Sequence, residues 1–141
     1  MQIGVDSQRA VENKRVFVVD NDDVVSMALQ FMLADEMETH VLADSAEALA
    51  KGRSAPPDLL LLGAGVLASE GVDVVTRLKG GLGGVKMLLV CTDADESDIR
   101  AALALGAEST LLRPLKLENV RRKVDTQLGR RAPLEIPVVL R

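Results

Sequence analysis

The stretch Pro57-Asp58-Leu59-Leu60-Leu61-Leu62-Gly63 constrains the fold more than any other part of the chain. A strand with one wet face alternates apolar and polar residues. Four leucines in a row, bounded by a proline and a glycine, instead ask for apolar cover on both faces, as in the central strand of a parallel sheet. An open α/β sheet keeps its ligand or nucleophile at the carboxyl ends of its strands. Gly63, which closes the run, supplies no side chain for either purpose.

The rest of the chain can provide that cover. It has 141 residues, 48% of them hydrophobic but only 1% aromatic, namely Phe17 and Phe31, so Leu, Val, Ala and Met must build the core. The length fits one domain. The net charge of −4 argues against a general nucleic-acid binder, because phosphate backbones select positive surfaces. Cys91 and His40 are the single cysteine and histidine. An internal disulfide and a Cys/His metal cluster are therefore excluded, which fits a reducing compartment. The amino terminus lacks a secretory pattern and no apolar run reaches membrane-spanning length. The expectation is a soluble cytoplasmic protein with neither nucleic acid nor membrane as partner.

Taken in order, residues 1–13 show no periodicity and read as a tail, 14–129 as the domain and 130–141 as a second tail. Val16 to Val19 is a first strand, left through the acidic loop Asp20-Asn21-Asp22-Asp23. Val25, Ala28, Leu29, Met32 and Leu33 then mark an amphipathic helix over 24–34, capped by Asp22 or Asp23. Residues 39–43 suit a second strand. Asp44 and Glu47 form a capping box for a helix to about Ala50, which Lys51 and Gly52 stop. After the leucine strand, Val74, Val75 and Leu78 place a helix over 71–79, and Gly80 to Gly84 end it. Met87 to Val90 is a fourth strand. Asp95 or Ser97 caps a helix that ends at Gly106. Thr110 to Leu112 is a fifth strand cut off by Arg113-Pro114, and Leu117 to Leu128 a last helix stopped by Gly129. Five strands alternating with five helices imply a parallel sheet with helices on both faces.

From Lys14 to Leu128 the chain resembles the receiver domain of bacterial response regulators. The acidic loop, Pro57-Asp58, Gly71 eight positions after Gly63, Gly106-Ala107 and Pro114 agree with that family in type and spacing. The resemblance implies a flavodoxin-like, doubly wound α/β fold with strand order 2-1-3-4-5. It also implies phosphorylation of an aspartate at the end of strand three. A divalent cation on an acidic pair, a hydroxyl after strand four and a lysine after strand five assist. Those positions fall here on Gly63 for the aspartate, Asp20 and Asn21 for the pair, Thr92 or Cys91 for the hydroxyl, with Thr92 preferred, and Arg113 for the lysine. The aromatic switch position falls on Thr110.

The departures point one way. Gly63 removes the nucleophile and a ligand oxygen, and Asn21 exchanges a charged oxygen for a neutral one, which a hard cation such as Mg²⁺ tolerates poorly. Asp20 is the one remaining candidate metal ligand, and no cofactor is expected. Arginine suits carboxylate pairing, so Arg113 is expected to pair with Asp20 and hold one conformation. The chain thus reads as a degenerate "pseudo-receiver": a non-phosphorylatable, non-enzymatic interaction module in two-component signalling. One alternative is metal-dependent phosphorylation at Asp22 or Asp23. Another is helix capping as the whole role of the acidic loop.

Other readings of the motifs are weaker. Gly80 to Gly84 with Lys86 lacks Walker spacing, and three carboxylates after strand one repel a nucleotide or flavin phosphate. Cys91 and His40 read as plain strand residues. The resemblance implies protein partners, a histidine kinase or another signalling protein, and a face on the last two helices and the strand between them. That face is commonly used for homodimerisation or docking. Its candidates are Ala101, Ala104, Leu105, Arg121, Arg122 and Lys123. The chain ends soon after the last helix, so no output domain is expected. The apolar segment 132–141 reads as a loose end, as cover for its own domain or a sheet edge, or as an assembly element.

Overall fold

The computed structural model describes residues 13–129. The sheet is parallel and five-stranded: β1 (Arg15–Val19), β2 (Glu38–Leu42), β3 (Leu59–Gly63), β4 (Lys86–Cys91) and β5 (Ser109–Leu112), in the order β2-β1-β3-β4-β5. The helices are α1 (Asp23–Leu33), α2 (Ser45–Ser54), α3 (Ala64–Glu70), α4 (Asp73–Gly81), α5 (Ser97–Ala104) and α6 (Leu117–Leu128).

The leucine run sits in the middle of this sheet, and its four side chains alternate between two cores. Leu59 and Leu61 meet Val16, Val18, Leu88 and Val90 under α1 and α6. Leu60 and Leu62 meet Phe17, Val19, Met87 and Leu89 under α2 to α5. All four leucines are fully buried, and each contributes about 2 kcal/mol of apolar transfer. No polar residue could occupy any of the four positions without losing cover on one side.

The fold carries six helices among the described residues where the sequence suggests five. The addition is α3, which starts directly from Gly63 with no side-chain cap and buries Val66 and Leu67. Two glycines also act differently from the expected stops. α2 runs through Gly52 to Ser54, and α4 through Gly80 to Gly81. A Cβ on Gly52 would overlap the Leu82 side chain, and one on Gly81 the Leu49 side chain. These glycines permit close packing around α2 and α4.

Capping follows chemistry more closely. Asp22 Oδ1 accepts from the Val24 and Val25 amides at 3.0 and 3.2 Å, and Asp44 Oδ1 from the Glu47 amide at 2.9 Å. The return arm of the second cap is displaced by one residue, Glu47 accepting from the Ala43 amide at 3.1 Å. Neither Asp95 nor Ser97 caps α5. Its cap position is Glu96, without a side-chain bond, while Asp93 holds the preceding turn through the Asp95 amide at 2.9 Å. Residues 1–12 and 130–141, the two expected tails apart from residue 13, lie outside the described residues.

Candidate functional site at the carboxyl edge of the sheet

β1, β3, β4 and β5 end side by side, so the residues that follow them gather at one rim. Gly63 pairs with Val90 and hands the chain directly to α3. Asp20 leaves β1 with its amide donating to the Leu42 carbonyl at 3.1 Å. Its side chain then turns inward and is 6% exposed.

The decisive geometry lies between these two residues. A Cβ built on Gly63 would overlap the carboxylate carbon and both oxygens of Asp20. The neighbouring residues repeat the arrangement, since a Cβ on Gly65 would overlap Oδ1 of Asn21. Asp20 and Asn21 thus fold over β3 and the first turn of α3 into space that two glycines leave open. Sequence reasoning singles out Gly63 and misses Gly65. The available signal was two glycines, two residues apart, opposite an Asp-Asn pair.

Asp20 Oδ1 accepts from the Asp22 amide at 3.0 Å. Burial pushes its carboxyl above the ordinary aspartate range, and the nearby Asp22 charge adds to that. The amides of Asp22 and Asn21 and the positive charge of Arg113 act in the opposite direction.

The expected Arg113–Asp20 pair does not form. The Arg113 amide is held by the Cys91 carbonyl at 2.9 Å and the next peptide, to Pro114, is cis. Its side chain is exposed and takes part in no ion pair among the described residues. The guanidinium acts on Asp20 through its field alone. A long cation at an exposed strand end keeps its hydration more cheaply than it enters a buried pair.

Cys91 and Thr92 separate cleanly. Cys91 is 1% exposed within the core beneath α2 to α5, and burial raises its thiol pKa. Thr92 is the exposed residue just past β4. Thr110 is half-buried in β5, and its carbonyl accepts from Lys123 Nζ at 2.7 Å.

These residues do not assemble a divalent-cation site. Gly63 offers no side-chain oxygen, Asp20 Oδ1 accepts from the Asp22 amide, and Asn21 is turned onto Gly65. Among the described residues no group of three or more His, Cys, Asp or Glu is placed to hold a metal. A hard cation takes six or more oxygens, and Mg²⁺ fills several of those positions with water beside one or two carboxylates.

The comparison with known proteins decides the family. Residues 16–125 match the family model of the response regulator receiver domain. The chain belongs to that family. Its sequence is 30% identical over 118 residues to the DNA-binding response regulator MtrA of Mycolicibacterium smegmatis, covering 83% of this chain and 51% of that protein. This receiver therefore spans about half the length of the curated relatives it matches. Its fold is that of a two-component response regulator from Clostridium difficile (TM-score 0.73, 21% identity, 84% of this chain and 98% of the other). The chemotaxis response regulator CheY4 of Vibrio cholerae is alike too (TM-score 0.72, 21% identity, 82% and 98%). No helix of the described residues is long and apolar enough to cross a membrane.

The expected partner face is divided. Ala104 at the end of α5 and Leu105 just past it are exposed and Ala101 is half-buried, while Leu112 of β5, not foreseen, is 43% exposed. Arg122 is exposed and donates to Asn119. Lys123 turns to β5, where it also reaches Ser109 Oγ at 3.2 Å. Arg121 belongs elsewhere. It donates to the Met32 carbonyl at 3.1 Å and pairs with Asp35 at 2.9 Å and Glu36 at 3.3 Å beyond the end of α1. Two helical residues span about 200°, so Arg121 and Lys123 leave α6 on opposite sides.

Proposed function

We propose that this receiver domain serves two-component signalling as a protein-interaction module and is not phosphorylated in the manner of its family. One observation carries the reading: the Asp20 carboxylate fills the space that any side chain on Gly63 would need. The strand-three position then has no nucleophile, a side chain there would have to displace Asp20, and the neighbouring oxygens do not gather a cation. With no acyl phosphate to form, the rim has one arrangement rather than two, and specificity resides in the outer faces. The exposed Ala104, Leu105 and Leu112 surface supports docking of a protein partner, a kinase, another signalling protein or a second copy.

The test is incubation with acetyl phosphate and Mg²⁺, read by intact mass. The expected result is an unchanged mass under conditions that label an active receiver. A stable phosphoryl adduct, mapped to Asp20, Asp22 or Asp23, would overturn the reading in favour of an unconventional acceptor.

A further inference from the structure

Seven large apolar side chains are exposed among the described residues, and they divide between the two edges of the sheet. Val24, Met27 and Phe31 stand three and four residues apart on one side of α1, where they are 77, 67 and 86% exposed. α1 packs on the edge strand β2, which itself exposes Val41. Leu105, Leu112 and Leu117 lie along the opposite edge, just past α5, in β5 and at the start of α6.

Charge divides in the same way. Between Arg15 and Lys51 the chain has eight Asp or Glu and no Lys or Arg. Arg121 takes up Asp35 and Glu36, Arg15 and His40 take up Glu38, and Asp20 is buried. Asp22 and Asp23 at the start of α1, and Asp44 and Glu47 just past β2, are left with no cation in contact among the described residues. The β5 edge is basic. Arg113 and Lys116, exposed past the end of β5, and Arg122 on α6 take part in no ion pair among the described residues. Lys123 bonds only to the Ser109 hydroxyl and the Thr110 carbonyl, so its charge is not offset. Arg122 and Lys123, with Ser109 and Thr126, line a cleft of about 190 Å³ between β5 and α6. The α6 acids Glu118 and Asp125 are not part of that lining, and Asp93, Asp95 and Glu96 gather at the far end of α5 from Leu105.

Two such edges complement each other and not themselves. An acidic edge against its own copy, or a basic edge against its own, sets like charges together. Acidic on basic instead covers both apolar groups inside opposite charges, the arrangement of an apolar contact with a polar rim. The two edges lie on opposite sides of one sheet, so the contact joins unlike surfaces and repeats as an open row where a two-fold contact would close.

We propose that the α1–β2 edge of one molecule docks on the β5–α6 edge of a second copy, head to tail. This contact names a partner for the interaction module proposed above and rests on that reading of its outer faces, whereas the acetyl phosphate experiment reads the β3 rim alone. The test is sedimentation velocity of the full chain over a range of concentrations at low and high salt. The weight-average mass is expected to climb past that of a dimer without levelling off, and added salt should move the climb to about tenfold higher concentration. Phe31→Asp and, separately, Leu112→Asp should each hold the chain as a monomer. Mixed, they should form a one-to-one dimer, because each keeps the edge that the other has lost. Circular dichroism checks the fold, and Leu105→Asp takes the place of Leu112→Asp if the β5 variant unfolds. A parent chain that stays monomeric at every concentration would overturn the proposal. So would a mass that stops at the dimer with one variant still dimerising alone, the mark of a two-fold contact through a single edge. Variants that associate like the parent, or that stay apart when mixed, would overturn it as well.

Discussion

At the amino end of β1, Arg15 Nε reaches Glu38 of β2 at 2.7 Å, and His40 Nε2 lies 2.6 Å from the same carboxylate oxygen. The Arg15 and His40 bonds hold the Glu38 pKa down to about 2. At the other end of the same strand, Asp20 is buried without a cation in contact, and its pKa is raised. Five residues of strand thus separate a carboxylate that stabilises the fold by being charged from one whose charged form burial disfavours. Strand ends that serve only stability match their charges. The carboxyl rim, where Asp20 lies against Gly63, keeps an unmatched one.

The largest expected effect comes from forcing a side chain into the rim. Gly63→Asp requires Asp20 to leave its place and sets two carboxylates against each other. Overpacking and like charge together should cost about 3 kcal/mol of unfolding free energy in a urea titration. The second substitution Asp20→Ala empties the same space and should return most of that loss. A Gly63→Asp chain as stable as the parent would show that Asp20 does not fill the glycine's space, and the contrast between the two strand ends would fail with it.

At the matched end the effect is smaller and depends on pH. Glu38 is a carboxyl with a depressed folded pKa, so its contribution is present above the unfolded value and is lost as pH falls toward about 2. Glu38 is also 34% exposed, and solvent screens the pair. Glu38→Gln should therefore cost about 1 kcal/mol at pH 7, a difference that closes between roughly pH 4.5 and 2. A difference that persists unchanged below that window would mean the residue acts through packing.

Much of this contrast could be read from the chain, and the missing parts have physical causes. The leucine run, the capping by Asp22 and the place of Gly63 follow from period and local chemistry, which neighbours in sequence decide. Helix α3 was hidden because Ala64-Gly65 offers no cap and its burial comes from residues distant in the chain. Gly52 and Gly81 look like stops, since sequence does not distinguish a glycine that ends a helix from one that makes room for a leucine. The two directions of Arg121 and Lys123 were available from helical geometry. The exposure of Arg113 was not, because a long side chain chooses between a buried pair and water by a small balance of desolvation and attraction.

The smallest effect tests the unmatched end itself. Asp20 has a folded pKa above its unfolded value, so the folded chain binds the proton more tightly, and stability falls as pH rises through the interval between the two. Asp20→Asn keeps an oxygen to accept from the Asp22 amide and removes the charge. At pH 7 it should raise stability by about 1 kcal/mol or less, the relief of a buried charge that has a hydrogen bond but no counter-ion in contact. In acid, where Asp20 is protonated in both states, the advantage should vanish. Denaturation of parent and variant across pH 3 to 8 reads both limits. An Asn variant less stable than the parent at pH 7 would mean that the field of Arg113 outweighs burial, and the carboxyl end of β1 would then resemble its amino end.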